Sequence, residues 1–197
     1  MITFKNKEDV QTIEEIYAEI NARMIAALMF HSQMADYFDF LGLRGYKRLH
    51  EYQYVSEGKE RRELNRYYIN HHNRMISDRY EGTVQMIPEG WKNANRISVG
   101  KSTKQKAVED GFNEYRQWES DTKALYEKYA VALRNGGHIA DALRVEMLVD
   151  DVDGELKQLD RMLIDLISAG YDMVYIVESQ DAIHDRYERK TAKVWEV

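Results

Sequence analysis

The sequence contains no cysteine and only one proline, Pro88, among its 197 residues. The first absence excludes disulfide bonds and thiolate metal sites. The second leaves long stretches in which a helix can continue without interruption. No apolar run is long enough to span a membrane, and no basic block typical of nucleic-acid binding is present. Met1 to Val10 does not resemble a secretory signal, so we expect a cytoplasmic protein that binds neither membranes nor nucleic acids.

What the chain does contain favours long helices around one core. Hydrophobic residues make up 44% of the sequence and charged residues 31%, with a net charge of −6. This balance provides enough apolar side chains for a sizeable core and enough charge for solvated outer helix faces. A length of 197 residues corresponds to one domain, with room for a short appendage.

Apolar residues recur at steps of three and four in four long segments, which is the spacing of one helix face. The pattern predicts helices over about 10–41, 46–76, 103–134 and 139–169. Glycines separate the first two helices and the last two. A shorter fifth segment, about 171–190, reads as a helix outside the bundle. We therefore predict a four-helix domain over residues 1–170, followed by a C-terminal helix and tail over 171–197.

The only long break in the helical pattern lies between the second and third helices, at about 77–102, where 96–99 could be extended. Short links make hairpins of the first and last helix pairs, so the long segment is expected to cross the length of the bundle. One long crossover at this place is typical of ferritin-like four-helix bundles. The fold prediction is therefore all-α, ferritin-like, with a crossover between helices two and three.

Several acidic residues occupy positions where an apolar residue is expected. Glu119 lies in the middle of the apolar stripe of the third helix, and Glu155 has the same place in the fourth. Glu60 and Glu63 lie one turn apart near the middle of the second helix, so both could face one point. A buried carboxylate requires a cation, hydrogen bonds or a proton. These residues therefore predict a polar site inside the bundle.

Two segments resemble the ferritin and bacterioferritin family, and the resemblance covers roughly residues 10–170. The sequence EINARMIAALMFHSQMADYFD resembles the family's first helix. The sequence GYKRLHEYQYVSEGKERRELNRYY resembles the helix that carries the family's Glu-x-x-His motif. The resemblance implies iron binding or iron oxidation at a carboxylate-bridged two-metal site. It also implies a homo-oligomer, at least a dimer, with the crossover and the outer faces of the first two helices at the interface.

The family's ligand pattern is incomplete in this chain. Its first-helix glutamate falls at Arg23 or Met24. Both motif histidines fall on glutamates, Glu63 and Glu155, and the motif glutamate of the fourth helix falls on Val152. The position of the bacterioferritin haem methionine reads Arg61, so no haem is expected.

Two arrangements could stabilise the surviving acids. An all-oxygen set with a formal charge of −4 matches two hard divalent cations such as iron or manganese. The metal ligands would then be Glu60, Glu63, Glu119 and Glu155. Alternatively, the guanidinium of Arg23 pairs with the carboxylates, and the protein is a metal-free structural or interaction scaffold. His31 lies on the first apolar stripe, where a hydrogen-bonded core histidine is expected.

Overall fold

The computed structural model describes residues 12–77 and 95–194, and every regular element in those ranges is helical. The α-helices are α1 (Ile13–Phe40), α2 (Arg44–His72), α3 (Lys101–Asn135), α4 (Ile139–Ser168) and α5 (Met173–Lys193). The four long helices predicted from the sequence are confirmed to within a few residues at each end. The extended piece predicted near 96–99 is wrong, because Arg96–Ser98 forms a 3₁₀ turn. None of the described helices is long and apolar enough to cross a membrane.

Side chains of the preceding residue cap the starts of α1 and α5. At the start of α1, Thr12 Oγ1 accepts a hydrogen bond from the backbone N–H of Glu15, whose carboxylate accepts one from the N–H of Thr12. This reciprocal capping box satisfies two N–H groups that have no partner inside the helix. Asp172 caps α5 by accepting from the N–H groups of Val174 and Tyr175.

The N-terminus of α2 is capped by another helix. Leu43 precedes α2 and makes no side-chain capping bond. Instead, Gln180 Oε1 on α5 accepts hydrogen bonds from the N–H groups of Gly45 and Tyr46, at 2.9 and 3.2 Å. The helix predicted to lie outside the bundle is therefore bound along α2, and its Ile176 and Tyr187 belong to the main apolar core.

Pairwise contacts give the directions of the helices. In the first half of α1, Arg23 bonds Thr122, whereas Tyr37 near the end of α1 bonds the carbonyl of Ala107, so α1 and α3 are antiparallel. His72 at the end of α2 bonds Asp141 at the start of α4, so α2 and α4 are antiparallel as well. Of the predicted crossover, residues 78–94 lie outside the described ranges.

The apolar core consists of two clusters separated by a polar layer. One cluster includes Phe30, Leu49, Tyr115 and Leu159, together with residues of α5. The other includes Met24, Leu64, Leu125 and Val152. On each of α1 to α4, one cluster ends and the other begins near the middle of the helix. The residues between them on α2, α3 and α4 are mostly polar, and this is the part of the bundle that the candidate site occupies.

Candidate metal centre in the polar layer

The polar layer combines side chains from all four long helices. Its buried members are His31, His50, Gln53, Glu57, Glu119 and Thr122. Glu60 and Glu155 are half-buried beside them, and Arg23 lies at the edge. Charged residues are rarely buried unless they are paired, so the layer requires a specific arrangement of charges and protons.

His31 and Glu119 face one another at the centre of this layer. The Nε2 atom of His31 lies 3.6 Å from the Oε1 atom of Glu119, and the two side chains are 0% and 1% exposed. Neither atom has a hydrogen-bond partner. The separation is too long for a hydrogen bond, which usually spans about 2.7–3.2 Å. A buried imidazole nitrogen and a buried carboxylate oxygen, both of which can bind a metal ion, therefore face each other without a hydrogen bond.

The opposite nitrogen of His31 is bonded to a second buried histidine. His31 Nδ1 lies 3.0 Å from His50 Nδ1, so one ring donates a proton and the other accepts it. Burial lowers the pKa of His31 to about 3. Burial, followed by the charge of His31, lowers the pKa of His50 well below its usual value. Both rings are therefore neutral at pH 7. If His31 is the donor to His50, its Nε2 carries a free lone pair directed at Glu119.

Carboxylates from α2, α3 and α4 lie close enough to affect one another's protonation. Burial, then the charge of Glu155, raises the pKa of Glu60 to about 8. Burial, then the charge of Glu119, raises the pKa of Glu155 to about 8. Burial raises the pKa of Glu119 to about 8, and Arg23 partly offsets it. Burial, and then Glu60, raises the pKa of Glu57 well above its usual value. Without added positive charge, these groups retain protons near neutral pH.

Glu60, Glu119 and Glu155, three of the four predicted ligands, lie in the polar layer, whereas Glu63 does not. Its side chain is 46% exposed and forms ion pairs with Lys59 and Arg144, at 3.8 and 4.0 Å. The inward residues of this helix segment are Glu57 and Glu60, one turn earlier than predicted. Glu57, which was not among the predicted ligands, is buried, with only 8% of the residue exposed.

Arg23 reaches the layer but does not form an ion pair with it. Its guanidinium donates to Thr122 Oγ1 and to the carbonyl of Trp118, both at 2.8 Å, and stacks 3.5 Å from the centre of the Trp118 ring. Within the described part of the chain, it has no carboxylate oxygen within 4 Å. Its positive charge favours ionisation of Glu119 at longer range.

A hydrogen-bonded pair borders the carboxylates. Gln53 Nε2 donates to Tyr115 Oη at 2.9 Å, and a hydrogen bond from Gln53 also lowers the pKa of Glu155. These contacts hold the side chains of Gln53 and Tyr115 in place on the side of the polar layer that faces α4. Across residues 12–77 and 95–194, no three histidine or acidic side chains lie close enough together to hold a metal ion in their present rotamers. Within the polar layer, His31 and Glu119 are a facing pair of such side chains, 3.6 Å apart.

Sequence reasoning missed Glu57 and His50, although the pattern contained a signal for both. On α2, the buried Gln53 and the predicted ligand Glu60 are seven residues apart. Residues on one helix face recur every three or four positions, so one residue between these two lies on the same face. Glu57 is that residue, four positions after Gln53 and three before Glu60. His50 precedes Gln53 by three residues and continues the same face.

No model of a known protein family matches the chain, and no curated protein or solved structure is detectably similar to it.

Proposed function

We propose that the chain is a ferritin-like four-helix bundle that binds divalent metal ions, with iron or manganese preferred, in its polar layer. The ligands in this proposal are His31, Glu57, Glu60, Glu119 and Glu155. Glu63 of the initial prediction is replaced by Glu57, which lies on the inward face of α2. The resemblance to ferritins extends the proposal to iron oxidation, which uses the same ligands.

The directions of the helices support the ferritin-like part of the proposal. Helix α2 is antiparallel to α4, and α3 and α4 form a hairpin through Gly136 and Gly137. Helices α2 and α3 therefore run in the same direction. A connection between two helices that run in the same direction has to return along the length of the bundle, which is the crossover expected at about 77–102.

The observation that carries the metal proposal is the facing pair of unbonded atoms, His31 Nε2 and Glu119 Oε1. Two atoms that each bind one metal ion at about 2.1 Å lie roughly 3.0–3.6 Å apart, for ligand angles between about 90° and 120°. The observed 3.6 Å falls at the upper end of this range. A bound cation would satisfy both atoms at once, and it would also favour ionisation of the neighbouring carboxylates, whose pKa values are raised by burial first and then by mutual repulsion.

The bond between the two histidines fits a metal ligand with a supporting residue. A metal-bound histidine usually donates its other ring N–H to a neighbouring acceptor, which fixes the tautomer and the ring orientation. His50 can provide that acceptor for His31. Imidazole combined with several carboxylates suits iron and manganese, because both metals accept nitrogen and hard oxygen ligands. The remaining ligands, Glu57, Glu60 and Glu155, would reach the metal by rotamer changes.

Thermal unfolding with and without metal tests the proposal. A ligand that binds only the folded state raises the melting temperature, so manganese or anaerobic ferrous iron should stabilise the wild-type protein. Glu119→Gln should abolish this rise. The matched control is Glu63→Gln, which makes the same chemical change at an exposed position and should leave the rise intact. The proposal fails if metal does not stabilise the wild type, or if both variants respond alike.

A second candidate is a metal-free bundle that serves as a structural or interaction scaffold. The absence of a three-ligand group among the described residues favours it, as does the charge of Arg23, which favours ionisation of Glu119. In this case protons and the long-range charge of Arg23 stabilise the layer. Metal would then leave the melting temperature of every variant unchanged, whereas Arg23→Ala would lower it by removing a positive charge that favours Glu119 ionisation.

A further inference from the structure

The outer face of α4 is exposed and carries an ordered pattern of apolar and charged residues. Ile139, Leu143 and Met147 near its start are 48%, 52% and 55% exposed, and Ile164 near its end is 61% exposed. Charged residues occupy the middle of the same face. In order, this face, which we call the α4 face, contains Ile139, Leu143, Glu146, Asp150, Gly154, Lys157, Arg161, Ile164 and Ser168, at steps of three or four.

The α4 face is complementary to itself when one copy is reversed. The midpoint of the helix lies between Asp153 and Gly154. Asp150 precedes this point by the same distance as Lys157 follows it, and the two have opposite charges. The next outward positions, Glu146 and Arg161, also have opposite charges. Beyond them, the apolar Leu143 and Ile164 are equally far from the midpoint.

We propose that the α4 face binds the α4 face of a second copy of this chain, antiparallel, about a two-fold axis near Gly154. In that arrangement Leu143 meets Ile164 of the other copy, and Asp150 meets Lys157, each twice because of the symmetry. A Cβ placed on Gly154 would meet nothing within 4 Å. The centre of the face is therefore open to close approach by a second helix.

The charges on the face remain accessible to a second copy. Lys157 is 72% exposed, and among the described residues its ion-pair partner is Asp153 of its own helix. An ammonium group has three donors, so a further carboxylate can bind. Asp150 and Arg161 are both exposed. Glu146 is 39% exposed and bound by Arg134, which makes the Asp150–Lys157 pair the better one to test.

Contacts within the chain favour α4 over α2 as the interface. The ferritin resemblance suggested the outer faces of the first two helices. However, α5 packs along α2, where Gln180 caps α2 and Tyr52 contacts the ring of Tyr187 at 5.6 Å between centroids. That part of α2 is covered by the chain itself. The α4 face has no such cover in the described structure.

Charge reversal with rescue tests the interface. The full chain should be a dimer at tens of micromolar by light scattering. Asp150→Lys places like charges opposite Lys157 twice, so it should weaken dimerisation at least tenfold, and Lys157→Asp should do the same. The double variant, which exchanges the two charges, should restore the wild-type dimer. Glu114→Lys, an equal charge change on the exposed face of α3, should have no effect.

A monomeric wild type would overturn this proposal. A dimerisation that is unchanged in both single variants would also overturn it, and so would a double variant that stays monomeric. Because the α4 face is exposed, the variants should fold, and circular dichroism checks that they do. This dimerisation test does not depend on metal binding. Metal binding in the polar layer is tested separately, by comparing Glu119→Gln with Glu63→Gln.

Discussion

His31 Nδ1 and His50 Nδ1 lie 3.0 Å apart in the interior of the bundle, so each ring fixes the tautomer of the other. We predict that His50→Phe lowers stability by about 1–3 kcal/mol, because it leaves the buried Nδ1 of His31 without a partner. If His31 binds a metal, the same change should weaken metal affinity about 10- to 100-fold through loss of the supporting residue. Chemical denaturation and metal titration measure the two effects.

The control for this prediction is His184→Phe. His184 lies on α5 away from the polar layer, and its side chain is 33% exposed. The same substitution there should change neither stability nor metal affinity by a comparable amount. Equal losses of stability and metal affinity in both variants would show that His50 has no specific role in supporting His31.

The carboxylates of the polar layer predict how stability of the metal-free protein depends on pH. Glu60, Glu119 and Glu155 each have a pKa of about 8 in the folded protein, whereas an unfolded glutamate has a pKa of about 4.3. Between these values the folded state binds more protons than the unfolded state. The free energy of unfolding should therefore fall as pH rises from about 5 to about 8, and the loss should be complete above the folded pKa.

Urea denaturation at pH 6, 7, 8 and 9 with a chelator present measures this dependence. Glu119→Gln removes one titrating group from the layer and should flatten the curve. Glu63→Gln should leave the curve as it is in the wild type, because Glu63 is exposed. A wild-type stability that rises with pH over this range would show that the carboxylates are ionised in the metal-free bundle.

The helices could be predicted from the sequence because their apolar positions repeat with the period of a helix face, and because glycines mark the breaks. The register of α2 was harder. Its inward face carries His50, Gln53 and Glu57, so polarity alone does not separate it from the outer face. The prediction of Glu60 and Glu63 followed the spacing of the ferritin-type Glu-x-x-His motif, whereas the periodicity of the helix selects Glu57 and Glu60.

The role of α5 could not be read from local pattern. Its docking depends on Gln180 reaching the uncapped start of α2, a contact between residues 135 positions apart. Likewise, whether His31 faces Glu119 depends on how α1 and α3 are rotated about their own axes when they pack together. Such relations between distant residues arise from packing of whole helices, and no short-range periodicity encodes them.

Gly45 should be intolerant of any side chain because α2 and α5 approach closely there. A Cβ at this position would lie 2.5 Å from the carbonyl oxygen of Gln180 and 3.0 Å from its Cα, both of them backbone atoms that cannot easily move. We predict that Gly45→Ala destabilises the protein by about 1–3 kcal/mol, the usual cost of overpacking. The matched control is Gly58→Ala on the same helix, where the new Cβ would meet only Leu28 Cδ2 at 3.8 Å. That change should stabilise by about 0.5–1 kcal/mol through helix propensity.

Asp141 connects three helices at the end of the bundle away from α5. Its Oδ1 accepts a hydrogen bond from Tyr17 of α1 at 2.8 Å, and His72 Nε2 of α2 lies 2.8 Å from the same atom. Asp141 is 5% exposed, and it lies in the first turn of α4, where a negative charge interacts favourably with the helix dipole.

We predict that Asp141→Ala destabilises by about 2–4 kcal/mol, because it leaves the buried hydroxyl of Tyr17 unbonded and removes two partners at once. Asp165→Ala, on the exposed last turn of the same helix, should be neutral or slightly stabilising. Tyr17→Phe alone should cost about 0.5–1.5 kcal/mol. In the Asp141→Ala background, Tyr17→Phe should cost nothing or restore stability, since it removes the unbonded hydroxyl. Equal effects of Tyr17→Phe in both backgrounds would mean that the Tyr17–Asp141 bond contributes no coupling energy.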